Sequence, residues 1–138
     1  MKALIWHCKK FEVKIVSKSN RPKNIIPEEQ RMNKELMENC IVAMITVEKD
    51  DKIPEAINSC VDDIKQFARD TKSNNIVVMP FVHLSNNISN YKTALRVTEL
   101  IREKLEKDFN VLRSHFGYHK ELLLHTFGHS MNVRYREF

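Results

Sequence analysis

The sequence predicts an α/β domain: a mixed β-sheet with two main helices packed mainly on one side. Three observations carry this. Two segments repeat apolar residues at spacings of three and four, the mark of an amphipathic helix. Several shorter runs are apolar throughout or alternate with period two, as strands do. Helices and strands also alternate through the middle of the chain, the pattern of right-handed crossovers onto a shared sheet.

Taken in order, Lys2 to Trp6 is a first, mostly apolar strand. Phe11-Glu12-Val13-Lys14-Ile15-Val16 alternates apolar and polar, a half-buried strand, and the two are expected to form a hairpin through Cys8 to Lys10. Ser17 to Pro27 is polar with two prolines and reads as a loop. Glu28 to Asn39 is charged and reads as a short helix or an excursion. Cys40 to Val47 is apolar throughout, which fits a central strand. Pro54 opens a helix running to about Thr71, because proline is tolerated at the first helical position. Ile57, Cys60, Val61, Ile64, Phe67 and Ala68 form its buried stripe. Ile76 to Phe81 is the next strand. Ser89 or Asn90 caps a second helix, Tyr91 to Lys107, with Ala94, Val97, Ile101 and Leu105 inward. Strands from Val111, over Tyr118 to Thr126, and over Val133 to Tyr135 complete the order.

The length, 138 residues, fits a single domain, 1–138, able to bury a core without staples. Its longest apolar runs are far too short to span a bilayer, and Met1 to Trp6 is too short for a secretory signal. Cys8, Cys40 and Cys60 are odd in number and widely spaced, with no CxxC pair. They argue against a disulfide framework and for a reducing, cytoplasmic setting. Each thiol reads as buried and structural; Cys8 adjoins His7, but neighbours on a strand point to opposite faces.

With only Gly117 and Gly128, neither GxGxxG nor a P-loop can be written, so those nucleotide sites are excluded and no cofactor is expected. Four of the six histidines, His115, His119, His125 and His129, lie near the C-terminus, but HExxH is absent and no metal site is expected. The formal net charge is +5. The excess is concentrated in residues 2–23, where Lys2, Lys9, Lys10, Lys14, Lys18, Arg21 and Lys23 face Glu12 alone. That run is either a solvated face or a surface for a polyanion, RNA above all.

Two loops at strand ends place polar groups where a rigid scaffold positions functional ones: Pro80-Phe81-Val82-His83-Leu84-Ser85 and Phe116-Gly117-Tyr118-His119-Lys120. With Asn110-Val111-Leu112 and Gly128-His129, these motifs resemble the N-terminal editing domain of archaeal-type threonyl-tRNA synthetase. Leu4-Ile5 before His7, the run Val42 to Val47 and the strand from Asn75 extend the similarity over nearly the whole chain.

The resemblance implies a D-aminoacyl-tRNA deacylase-like fold, a homodimer and an aminoacyl-tRNA hydrolase. Its substrate would be serine wrongly attached to threonine tRNA, cleaved at the 3′-terminal adenosine. It implies Lys120 as the catalytic lysine, orienting water or stabilising charge on the ester carbonyl, with His83 positioning substrate or water. His7 would stand on the wall of the adenosine pocket, and Pro80, Phe81, Gly117, Tyr118 and His119 would contact substrate. The ribose 2′-hydroxyl would assist. On this resemblance Lys120 and His83 are expected to share one cavity.

The sequence departs from the family pattern at Cys8-Lys9, at His119 in place of an aromatic, and at Val133 in place of an acid. It leaves open a D-aminoacyl-tRNA deacylase, or a non-catalytic tRNA-binding or dimerisation module. It also leaves open whether the chain is freestanding or excised from a synthetase, whose remainder would then be a partner.

Overall fold

The first element, β1 (Lys2–Lys18), is one continuous strand of 17 residues, where the sequence reads as two strands and a turn. Cys8-Lys9-Lys10 lacks the Gly or Asn that a tight hairpin turn requires, so the chain runs straight on. What changes there is the phase. Leu4, Trp6 and Cys8 share a face with Phe11 and Val13, so the alternation slips by one residue between Cys8 and Phe11. The slip coincides with a register shift against a neighbouring strand between Cys8 and Lys10, and with Asn39 at φ 43° on the other neighbour.

In the computed structural model, which describes residues 1–138, β2 (Lys34–Thr46) runs antiparallel to β1. Its first half takes up residues expected to be helix or excursion; Glu35 and Met37 turn inward there, and residues 19–33 form the irregular connection before it. α1 (Ile53–Asp70) follows, then β3 (Asn75–Pro80) parallel to β2. α2 (Tyr91–Leu105) leads to β4 (Asn110–Arg113) parallel to β3. β5 (Tyr118–Thr126) and β6 (Val133–Glu137) both pair antiparallel with β1, β6 along Lys2–Trp6 and β5 along Cys8–Lys18. The sheet order is β4-β3-β2-β1-β5, with β6 also on β1.

Both faces of the central strands are covered. On the helix side, Ile5, Ile41, Ala43, Ile45, Ile76 and Val78 pack against Ile57, Ile64 and Phe67 of α1 and Val97, Ile101 and Leu105 of α2. The opposite face buries Cys8, Phe11, Val13, Cys40, Val42, Met44, Val77 and Met79. Double coverage is why Cys40 to Val47 and Ile76 to Phe81 are apolar without alternation. Each fully buried Ile or Phe contributes about 1.5–3 kcal/mol. The three cysteines are buried, and burial pushes Cys8 up to about 11 and Cys40 and Cys60 up to about 12, so all three stay as neutral thiols. No helix is long and apolar enough to cross a membrane.

Candidate functional site

β2 and β3 end side by side, with Ile45 opposite Pro80. Ligands of parallel sheets collect where the strands end and the chain turns toward a helix. Phe81 N–H still donates to Ile45 O at 2.9 Å, and the buried Thr46 hydroxyl then donates to Phe81 O. Thr46 Oγ1 in turn accepts from Leu84 N–H at 3.4 Å, which pins the Phe81–Leu84 turn. Between this turn, the start of α2 and residues 21–25 lies a cavity of about 760 Å³. Pro80, Phe81, Tyr91 and Phe116 are among its walls, and its only charged residues are Arg21 and Lys92.

Phe116 is held by the irregular connection. Its N–H donates to a Glu28 carboxylate oxygen at 2.7 Å, and its carbonyl accepts from Glu28 N–H at 3.2 Å. Gly117 next to it has φ +88°, and a Cβ there would stand 2.7 Å from Pro27 Cα. Only glycine fits both conditions. Tyr118 donates its hydroxyl to Glu28 O, and Ser19 N–H donates to Gly117 O at 2.8 Å. Gly117 and Tyr118 do not line the cavity; their bonds fix the segment that carries Phe116 into it. Arg113 clamps the arrangement, bonding Glu28 through both terminal nitrogens and Glu99 through Nε at 2.7 Å. Burial raises the Glu28 carboxyl, but its bonds to Arg113 and Phe116 outweigh that and hold it below the usual carboxylate range.

Lys120 lies behind this wall. Its amino group donates to Ser114 Oγ at 2.6 Å and to His115 O. The Ser114 hydroxyl passes the contact on, donating to Glu35 at 2.5 Å. Glu35, fully buried, also accepts from His115 N–H at 2.7 Å and meets His115 Nδ1 at 2.5 Å. Burial lowers the Lys120 pKa, Glu35 and Glu28 oppose that, and Arg113 adds to the lowering.

The other expected residues are dispersed. Pro80 and Phe81 line the cavity. His83 is exposed, its ring edge-on to Phe81 at 5.1 Å. Neither His83 nor Lys120 lines the cavity, so the structure does not bring the two together there. The reason for Lys120 is local: its amino group is drawn to Ser114 Oγ and His115 O. His119 is exposed and, as the strand neighbour of the half-buried Lys120, points to the other face. His7 is also elsewhere, stacked on Phe127 at 4.2 Å with Nδ1 2.8 Å from His129 Nε2. Met131 N–H donates to His129 Nδ1, so a neutral His129 carries its proton on Nε2 and gives that hydrogen bond to His7. Burial holds His7 below its ordinary pKa, with Asn39 raising it and His129 lowering it further.

The family model of the archaea-specific editing domain of threonyl-tRNA synthetase matches residues 1–138. The chain belongs to this family. Among editing-domain relatives, a threonine–tRNA ligase of Thermococcus onnurineus (strain NA1) is 34% identical over 134 residues, covering 95% of this chain and 21% of that protein. A threonine–tRNA ligase editing subunit of Saccharolobus solfataricus is 31% identical over 106 residues, covering 77% of this chain and 27% of the subunit. The chain thus spans about a fifth to a quarter of the length of these relatives. Among solved structures, the c-Myc DNA Unwinding Element Binding Protein superposes with a TM-score of 0.70 at 12% identity, covering 100% of this chain and 99% of that one. That likeness speaks to fold alone, and the fold is the D-aminoacyl-tRNA deacylase-like one expected of the editing domain.

Several residues of the site escape a reading of the editing domain's motifs. Thr46 sits inside an apolar run and gives no signal of its own. Glu35 and Ser114 are ordinary polar residues until β2 and the segment after β4 are packed together. Arg21 and Lys92 are two cations among 23. Phe116 does stand in the motif that identifies the loop, one residue before the invited contacts.

Proposed function

We propose that this domain hydrolyses the ester of L-seryl-tRNA(Thr), proofreading the product of threonine attachment. The physical need is that serine differs from threonine by one methyl, worth only about 1–3 kcal/mol in a pocket, so a second site must remove the error. The observation that carries the reading is the cavity of about 760 Å³ lined by parts of the two family motifs, Pro80-Phe81 and Phe116, with the Lys120 amino group bonded to His115 O, one residue before the second. Such a cavity has room for a nucleoside bearing a small amino acid.

In the reaction, water adds to the ester carbonyl and the bond from that carbon to the ribose oxygen breaks. The proton from water goes to the ribose oxygen, which leaves as a hydroxyl. Lys120, exchanging Ser114 and His115 for substrate, stabilises the charge on the carbonyl oxygen. His83, at the exposed rim of the Phe81 turn, positions substrate or water. The acting unit is a homodimer, a reading supported by the exposed leucines Leu122 and Leu123 on β5 at the sheet edge.

One observation favours a second reading, a tRNA-binding module without catalysis: the Lys120 amino group already makes two hydrogen bonds within the protein. Single-turnover deacylation of seryl- and threonyl-tRNA(Thr) separates the two. The expected outcome is faster hydrolysis of the seryl ester and a fall of about 10²–10³-fold in Lys120→Ala. Wild-type deacylation no faster than without protein, with tRNA binding intact, sinks the hydrolytic reading and leaves the module; equal and accelerated rates in both remove Lys120 from the reaction.

A further inference from the structure

The basic run of residues 2–23 divides in two once folded. Lys2 meets Glu48 and Glu137, Lys10 meets Glu12, and Lys14 meets Glu121. Lys9 lies over the Phe127 ring, 5.7 Å from its centroid. Lys18, Arg21 and Lys23 make no ion pair, and Arg21 stands on the wall of the cavity. The one other cation on that wall, Lys92, is also exposed and unpaired. No aspartate or glutamate lines the cavity. It is therefore an apolar, aromatic-walled space with two free positive charges and nothing to neutralise them.

Both cations stand on anchored backbone. Ser19 Oγ accepts from Arg21 N–H at 3.3 Å and donates to Arg21 O at 3.1 Å, while Ser19 N–H is fastened to Gly117 O. Lys92 is the second residue of α2, whose cap Asn90 accepts from Thr93 N–H at 2.9 Å. A lysine in the first turn works against the helix dipole, which favours acids there. α1 follows that preference with Glu55; α2 has no acid in its first turn and carries Lys92 instead. The local cost points to a use elsewhere.

We propose that Arg21 and Lys92 bind the phosphate on the 5′ side of the terminal nucleoside, while Phe81, Tyr91 and Phe116 take the nucleoside itself. This rests on the reading of the cavity as the seat of an RNA 3′ end. In such a substrate the amino acid occupies the 2′/3′ side of the ribose, so the phosphate is the only anion that enters with the nucleoside. Aromatic walls suit a base of any sequence, and the paired cations supply charge-assisted bonds to the phosphate oxygens.

Titration calorimetry with adenosine and with adenosine 5′-monophosphate tests this on wild type, Arg21→Gln, Lys92→Gln and the double variant. Wild type is expected to prefer the monophosphate by about tenfold or more, the value of one charge-assisted hydrogen bond. Each single variant should shrink that ratio, the double variant should bring it near one, and Arg21→Lys should keep most of it. Binding of the monophosphate should also weaken less steeply with salt as each cation is removed. A wild-type ratio of one, or a ratio unchanged in the double variant, overturns the assignment while leaving the cavity a nucleoside site. Failure of wild type to bind either ligand overturns the reading of the cavity, and the assignment with it.

Discussion

Two regions meet at residues 114–117, and they are built in opposite ways. The cavity on one side is open and apolar, and its two charges, Arg21 and Lys92, have no partner in the protein. The network on the other side is closed: Lys120, Ser114, His115 and Glu35 satisfy one another, and Glu35 and Ser114 have no exposure at all. The difference teaches where a ligand can act. Free charge in the cavity is available to a ligand at once. Lys120 is available only to a ligand that replaces Ser114 and His115, so binding in the first region has to supply free energy for use of the second.

The most severe way to break this contrast is to open the network. Glu35→Ala strands the Ser114 hydroxyl, His115 N–H and the Lys120 charge in a buried space. The expected loss is about 3–5 kcal/mol, read as a drop in the urea midpoint. A loss under about 1 kcal/mol would mean that the network is not closed and that water already reaches it.

Gly117→Ala strikes the seam between the two regions. The alanine would hold a positive φ and press its methyl on Pro27, for a cost of roughly 2–4 kcal/mol. Because Pro27 would be pushed away from residue 117, limited proteolysis within residues 19–33 should accelerate as well. An unchanged midpoint and cleavage pattern would show that the connection does not depend on this contact.

Glu28→Gln sharpens the comparison through pH. The Glu28 carboxyl is held below its ordinary value of 4.5, so folding favours the ionised form. Its contribution is complete above that ordinary value and is lost as pH falls through the lower, folded one. Wild type should therefore exceed the variant by about 2 kcal/mol near pH 7, in denaturation midpoints, and the gap should close in acid. A gap that stays constant into strong acid would assign the effect to shape instead of charge.

Much of this was legible without coordinates. Both helix stripes face the core as spaced, with Ala94 partly buried, and α2 is capped by Asn90, one of the two caps expected. The loops carrying Phe81 and Phe116 were legible as strand-end loops that hold polar groups, and those two aromatics line one cavity. The hairpin in residues 2–16 was misread because a bulge and a turn interrupt period-two alternation in the same way. His7 was drawn toward the cavity by its motif, but its strand position sets it beside Phe127 and His129.

By itself, then, the sequence determined both helices, most of the strands and the family, because helix spacing, strand alternation and capping act between residues close along the chain. Only the tertiary structure decided which charges are spent and which are free. Glu35 meets Ser114 across 79 positions and Glu28 meets Arg113 across 85, while Arg21 and Lys92 converge on one cavity with no acid between them. Whether a charge is neutralised depends on what lies within a few ångströms of it, and sequence order says little about that.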